Sequence, residues 1–82
     1  MSEKSKSIFD PKYRDFIAFM VERRKSINMT QRELAKRLGV VQCYVARIET
    51  HERRLDIIEA IDMMRALQMN ERDIIKEIKK LI

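Results

Sequence analysis

Cys43 and His51 are the only thiol and the only imidazole among 82 residues, so nucleophilic, redox or metal chemistry has to start from them. Neither has the company it needs. A disulfide takes a second cysteine, and a zinc site takes three or four ligands at set spacings. A helix N-terminus lowers a thiol pKa, but without a partner cysteine Cys43 reads better as a small substitute for serine. The chain also lacks a nucleophile–base pair, a glycine-rich phosphate loop and a spaced carboxylate–histidine cluster, and leaves little room for a catalytic cleft. We therefore expect no enzyme, no cofactor and no metal. What remains is hydrogen bonding and charge, and the segment from Gln31 to Ile48 is the part best built to offer both.

Those side chains need helices to hold them, and the sequence announces five. Residues 1–9 are polar, Ser- and Lys-rich and aperiodic, predicting a flexible leader ahead of a domain over 10–82. Asp10-Pro11 supplies an N-cap followed by proline at the first helical position. Tyr13, Phe16, Ile17, Met20, Val21 and Ile27 then recur at helical spacing, with Arg24 on the same stripe, predicting a helix over about 11–26. Thr30 and Glu33 form a capping box, with Met29 and Leu34 placed as a hydrophobic staple, and open a helix over 31–38. It stops at Gly39, the only glycine, which suits a left-handed C-terminal position.

A short helix over 42–49 buries Val45 and Ile48. Asp56 and Glu59 repeat the box before a helix over 57–68, whose stripe is Ile57, Ile58, Ile61, Met64 and Leu67. Asn70 opens the last, over 71–81, carrying Ile74, Ile75, Ile78, Leu81 and Ile82. The fold class is all-α, a compact five-helix domain. Gly39-Val40-Val41 makes a tight turn between the second and third helices, and small Ala35 lets them cross closely. With Val45 pointing inward, Cys43, Ala46 and Arg47 share the outward face, and Gln42 sits at its N-terminal edge. A helix braced by its neighbour, offering a small polar face and its amide end to solvent, has the geometry of a helix-turn-helix entering a major groove.

Charge agrees with a polyanionic partner. Lys and Arg total 18 against 13 Asp and Glu, net +5. Residues 1–25 and 26–55 each carry +3, while residues 56–82 carry −1. The positive field belongs to the first two-thirds, where the two short helices lie. No apolar run reaches 18 residues and the N-terminus lacks an apolar signal region, which predicts no membrane span. A single cysteine fits a reducing cytoplasm.

The stretch MTQRELAKRLGVVQCYVARIE resembles the helix-turn-helix of the Cro/cI-like (XRE-type) repressors, with Ala35, Gly39, Val45 and Ile48 at the spacings of that motif. The resemblance spans about residues 13–68 and implies a lambda-repressor-like DNA-binding domain. It implies that Gln31 binds a backbone phosphate at the amide end of its helix. By the same resemblance, Gln42 contacts adenine through its amide, and Arg47 reaches a guanine or a phosphate. Arg53 and Arg54, with Thr50, contact phosphates from the following loop. Arg24 and Glu49 match a buried ion pair between the first and third helices, which accounts for an arginine on an apolar stripe. Tyr44 either donates to phosphate or packs on the first helix.

Three positions depart from the family pattern. Val41 stands where a Ser or Thr usually caps the third helix, at a cost of about 1 kcal/mol, or else packs on a thymine methyl. Thr50-His51 replaces a common glycine or asparagine, so His51 carries strain if its φ is positive. Cys43 fills a position often held by Ser, Gln or Pro.

One reading helix touches few base pairs, so a transcriptional regulator of this kind is expected to act as a homodimer on a palindromic operator in double-stranded DNA. Ile74, Ile75, Ile78, Leu81 and Ile82 are the residues assigned to that pairing, since a terminal Leu-Ile pair leaves apolar area to cover. The alternative is a protein-interaction module, antitoxin-like, whose third helix docks a protein partner instead.

Overall fold

The computed structural model describes residues 7–82 and contains, among them, five α-helices and no strand. Residues 1–6 of the leader expected over 1–9 lie outside the described residues. Ser7–Phe9, within that expected leader, forms a single 3₁₀ turn. Arg14 holds it down, donating from Nε to the Ile8 carbonyl at 3.1 Å, with its guanidinium 5.5 Å from the Phe9 ring centroid.

Helix α1 is Pro11–Ser26, α2 Gln31–Leu38, α3 Gln42–Glu49, α4 Ile57–Ala66 and α5 Glu71–Lys79. Their starts follow the local chemistry. The Asp10 carboxylate accepts from the Lys12 amide at 2.8 Å. Both halves of the Thr30/Glu33 box close, at 3.0 and 2.8 Å, and so do both halves of the Asp56/Glu59 box, at 2.7 and 3.0 Å. Asn70 caps α5 by accepting from the Asp73 amide at 2.8 Å. Only α3 begins without a side-chain cap, at Val41. Satisfying these orphan amides locally fixes where each helix begins before any tertiary contact forms.

The ends are less legible. Gly39 takes φ +73°, as its type demands. Asn28, His51 and Gln68 are also left-handed, at φ 57°, 65° and 65°. Gln68 ends α4 two residues earlier than the periodicity predicts, and Arg23 seals that end by donating to the Leu67 and Gln68 carbonyls, each at 2.9 Å. The α4 backbone closes its own end, the Met69 amide reaching the Met64 carbonyl at 3.2 Å around left-handed Gln68, and Arg23 of α1 takes the two carbonyls beyond it. Around Gly39 nothing lies within 4 Å of where a Cβ would stand, so the position is constrained by backbone conformation rather than by space. Gly39→Ala is therefore expected to cost about 1 kcal/mol, the left-handed penalty alone, lowering the melting temperature by roughly 4–8 °C. A thermal melt checks this; a drop several times larger would mean the turn is also sterically closed.

The core gathers Phe16, Ile17 and Met20 of α1, Leu34 and Ala35 of α2, Val45 and Ile48 of α3, and Ala60, Met63, Met64 and Leu67 of α4 and its C-cap. The expected α4 stripe holds at Met64 and Leu67, both wholly buried, and fails at its isoleucines. Ile57 and Ile58 are exposed and Ile61 is half-buried. The small Ala60 and flexible Met63 meet the core beside Met64 and Leu67, on a helix against which the short α2 packs. On α5, Ile74 is also spent inside the chain, joined by a buried Glu77 that pairs with Lys80 at 3.2 Å.

Candidate nucleic-acid interface

Helices α2 and α3 make the largest tertiary contact in the fold, locking α3 by Val45 and Ile48, both wholly buried. Val40 follows Gly39 and returns its amide to the Ala35 carbonyl at 2.9 Å, so the turn is closed on the first helix of the pair. Away from Val45, Cys43 and Arg47, with Gln42 at the edge, are exposed as the helical wheel predicts, and the N-cap residue Val41 is exposed too. Ala46, placed on the same face by the wheel, is half-buried, so the outward surface is narrower and centred on Gln42, Cys43 and Arg47.

A polar chain runs from the core to this surface. Arg24 grips Glu49 with two nitrogens, Nε to Oε2 at 2.7 Å and Nη2 to Oε1 at 3.0 Å, and gives Nη1 to the Met29 carbonyl at 2.8 Å. Arg24 is thereby buried with its charge answered, and α1 is pinned both to α3 and to the start of α2. Gln31 then donates from Nε2 to Glu49 Oε1 at 2.8 Å, and Gln42 Nε2 reaches Gln31 Oε1 at a long 3.5 Å.

The polarity of this chain is dictated from its inner end. An ionised carboxylate only accepts, so Gln31 must turn its NH₂ toward Glu49 and its carbonyl toward Gln42. Gln42 in turn spends one N–H inward and keeps its carbonyl and its second N–H for the surface. One donor beside one acceptor is the pattern that matches N7 and N6 of adenine. The Arg24–Glu49 pair is thus both a structural brace and the device that orients the exposed amide.

The loop after α3 is more occupied than its sequence suggests. Thr50 Oγ1 lies 3.0 Å from the Ala46 carbonyl and 2.9 Å from Glu52 Oε2, so its hydroxyl is engaged inside the loop. Arg53 straddles Glu59, with Nη2 at 3.0 Å from Oε2 and Nη1 at 3.4 Å from Oε1, and lies 4.5 Å from the Tyr44 ring centroid. Partial burial first, then the neighbouring Glu59 carboxylate, raises the Tyr44 pKa. Arg53 first, then the Asp56 amide, lowers that of Glu59. Arg54 is exposed beside this cluster. Tyr44 is half-buried under the Arg53 guanidinium, while Tyr13, on α1, accepts from the Leu55 amide at 3.2 Å.

His51 does take a positive φ, and its Nδ1 is buried without a hydrogen-bond partner, so the departure from glycine or asparagine carries both backbone strain and an unsatisfied atom. The isoleucine-rich end divides in two. Ile74 is core and Ile78 and Leu81 pack against it, whereas Ile75 and Ile82 are exposed, at 49% and 93%. Sequence reasoning missed Glu59 beyond its capping role and Arg23 on the carbonyls that follow α4. The signal for the first was Arg53 and Glu59, opposite charges on either side of a helix start.

A braced pair of short helices with a left-handed glycine between them, and an exposed helix whose amide is oriented from behind, defines a helix-turn-helix DNA-binding domain. Comparison with known proteins agrees. A helix-turn-helix family model matches residues 20–74, and the chain belongs to that family. A solved structure described as an XRE-family like protein from Pseudomonas syringae pv. tomato str. DC3000 is similar with a TM-score of 0.79 and 32% identity, covering 98% of each chain. No curated protein matches the sequence. The family is one of DNA-binding regulators, not of enzymes. Among the described residues no helix is long and apolar enough to cross a membrane.

Proposed function

We propose that this protein is a transcriptional repressor that binds a palindromic operator as a homodimer in the cytoplasm, with α3 in the major groove. The observation that carries the reading is the oriented Gln42 amide, tied through Gln31 and Glu49 to the buried Arg24. A side chain already fixed in its hydrogen-bonding sense loses little freedom on meeting a base edge. Gln42 reads adenine, Gln31 and the amide end of α2 meet a phosphate, and Arg47 contacts a guanine or a phosphate one turn along. Val41, exposed at the α3 start, packs on a thymine methyl, with Cys43 beside it on the groove floor. Tyr44, Thr50, Arg53 and Arg54 border the phosphate backbone from the junction after α3.

Pairing of two copies draws on exposed apolar side chains of the C-terminal third: Ile75 and Ile82, with the half-buried Ile78 and Leu81 beside them. Ile74 contributes only by holding α5 in place. Two experiments test the reading together. An anisotropy titration of random duplex should show binding at low salt, with log affinity falling linearly as log salt rises. Sedimentation at micromolar concentration should show a dimer. No binding at low salt would turn the reading toward a protein-docking role for α3, which the uncapped, exposed Val41 supports; a monomer would remove the palindrome.

A further inference from the structure

Glu59 ties three elements together at the flank of the reading helix. Its Oε1 accepts from the Asp56 amide at 3.0 Å, closing the α4 cap, and its two oxygens face Nη1 and Nη2 of Arg53. Arg53 is held over the ring of Tyr44, the third residue of α3, so its guanidinium stands beside the N-terminal half of that helix. The two partners are not equally free. Glu59 is anchored by its capping duty, whereas the Arg53 side chain is 41% exposed and carries five donors for two carboxylate oxygens. A phosphate arriving at this edge meets an arginine whose charge is already answered, with a carboxylate behind it.

We propose that Glu59 tunes DNA affinity: it is an internal rival to phosphate that keeps Arg53 on Tyr44 in the free protein and must be displaced by DNA. The inference rests on the DNA-binding reading above. Its effect falls on every duplex alike, since phosphates carry no sequence, so it lowers overall affinity and leaves discrimination to the base contacts. Solvent access to both partners keeps the latch weak and reversible. Exposed pairs of this kind are worth at most a factor of about five in an equilibrium.

The test compares the full-length chain with Glu59→Gln, Arg53→Ala and the double variant on random duplex across a salt series. Glutamine retains an acceptor for the Asp56 amide and is a normal capping-box residue, so Glu59→Gln is expected to fold. It should bind random duplex about threefold to fivefold more tightly, with a salt slope steeper by about one. In the Arg53→Ala background the same change should have little effect. Equal or weaker binding by Glu59→Gln, or the same tightening without Arg53, overturns the proposal while leaving DNA binding intact. Failure of the unmodified chain to bind random duplex at low salt overturns both. A reading independent of any variant is the ring-current shift of the Arg53 side-chain protons over Tyr44. That shift should be present in the free protein and collapse on duplex addition; persistence in the complex also overturns the proposal.

Discussion

Glu49→Ala should lose about 3–5 kcal/mol of folding stability, the largest effect of any single substitution considered for this chain. The cost comes from what it leaves behind. Arg24 is 8% exposed and gives two of its three hydrogen bonds to Glu49, so removing the carboxylate strands a guanidinium between α1 and α3. A domain of this size commonly has only about 5–10 kcal/mol in hand, and the variant would stand near its limit at 37 °C. Arg24→Met with Glu49→Leu gives the contrasting outcome. With both charges replaced by apolar groups of similar volume, stability should return to within about 1–2 kcal/mol of the parent. DNA discrimination should not return, because Gln31 has then lost the acceptor that sets its amide and, through it, that of Gln42. Denaturant melts of the single and double variants, paired with DNA titrations, separate the two roles. Recovery of discrimination together with stability would show that the pair is a brace only.

Gln42→Ala is the second large effect, and it acts on binding with little effect on folding. Gln42 is exposed and its contact inside the protein is a long one, so the variant should melt within a degree or two of the parent. Against an operator it should lose about 1–3 kcal/mol and relax preference at one base pair per half-site. Against random duplex it should lose almost nothing, since no phosphate contact is removed. Equal losses on both would assign Gln42 to the backbone instead of the base.

How much of this was legible beforehand depended on whether a feature is local. Four helix starts are written in residues within three positions of one another, at Asp10, Thr30/Glu33, Asp56/Glu59 and Asn70, and each forms as expected. Gly39 and the Arg24–Glu49 pair were legible too, because each is anomalous where it stands: a lone glycine after a helix, and an arginine on an apolar stripe. The orientation of α4 was legible only in part. Met64 and Leu67 are buried as their spacing predicts, whereas Ile57, Ile58 and Ile61 share that spacing and β-branched bulk favours the wrong face for them. What decides is the packing of α2 on α4, where a small alanine and two flexible methionines fit.

Long-range hydrogen bonds were hidden for the same reason. Arg23 on the Leu67 carbonyl and Tyr13 on the Leu55 amide join residues more than forty positions apart, with no spacing rule to reveal them. The division of α5, with Ile74 inward and Ile75 outward, follows from its packing on the rest of the chain. Its amphipathic pattern alone left every isoleucine available for a partner.

The account rests on α3 reading base edges in pairs, and selection of bound DNA from a random pool measures that directly. The predicted result is a two-fold symmetric consensus with half-sites about one helical turn apart, an A·T pair in each half-site losing its preference when Gln42 is alanine. A pool that stays random while the protein still binds it, or a single asymmetric site unaffected by Gln42→Ala, would contradict the account.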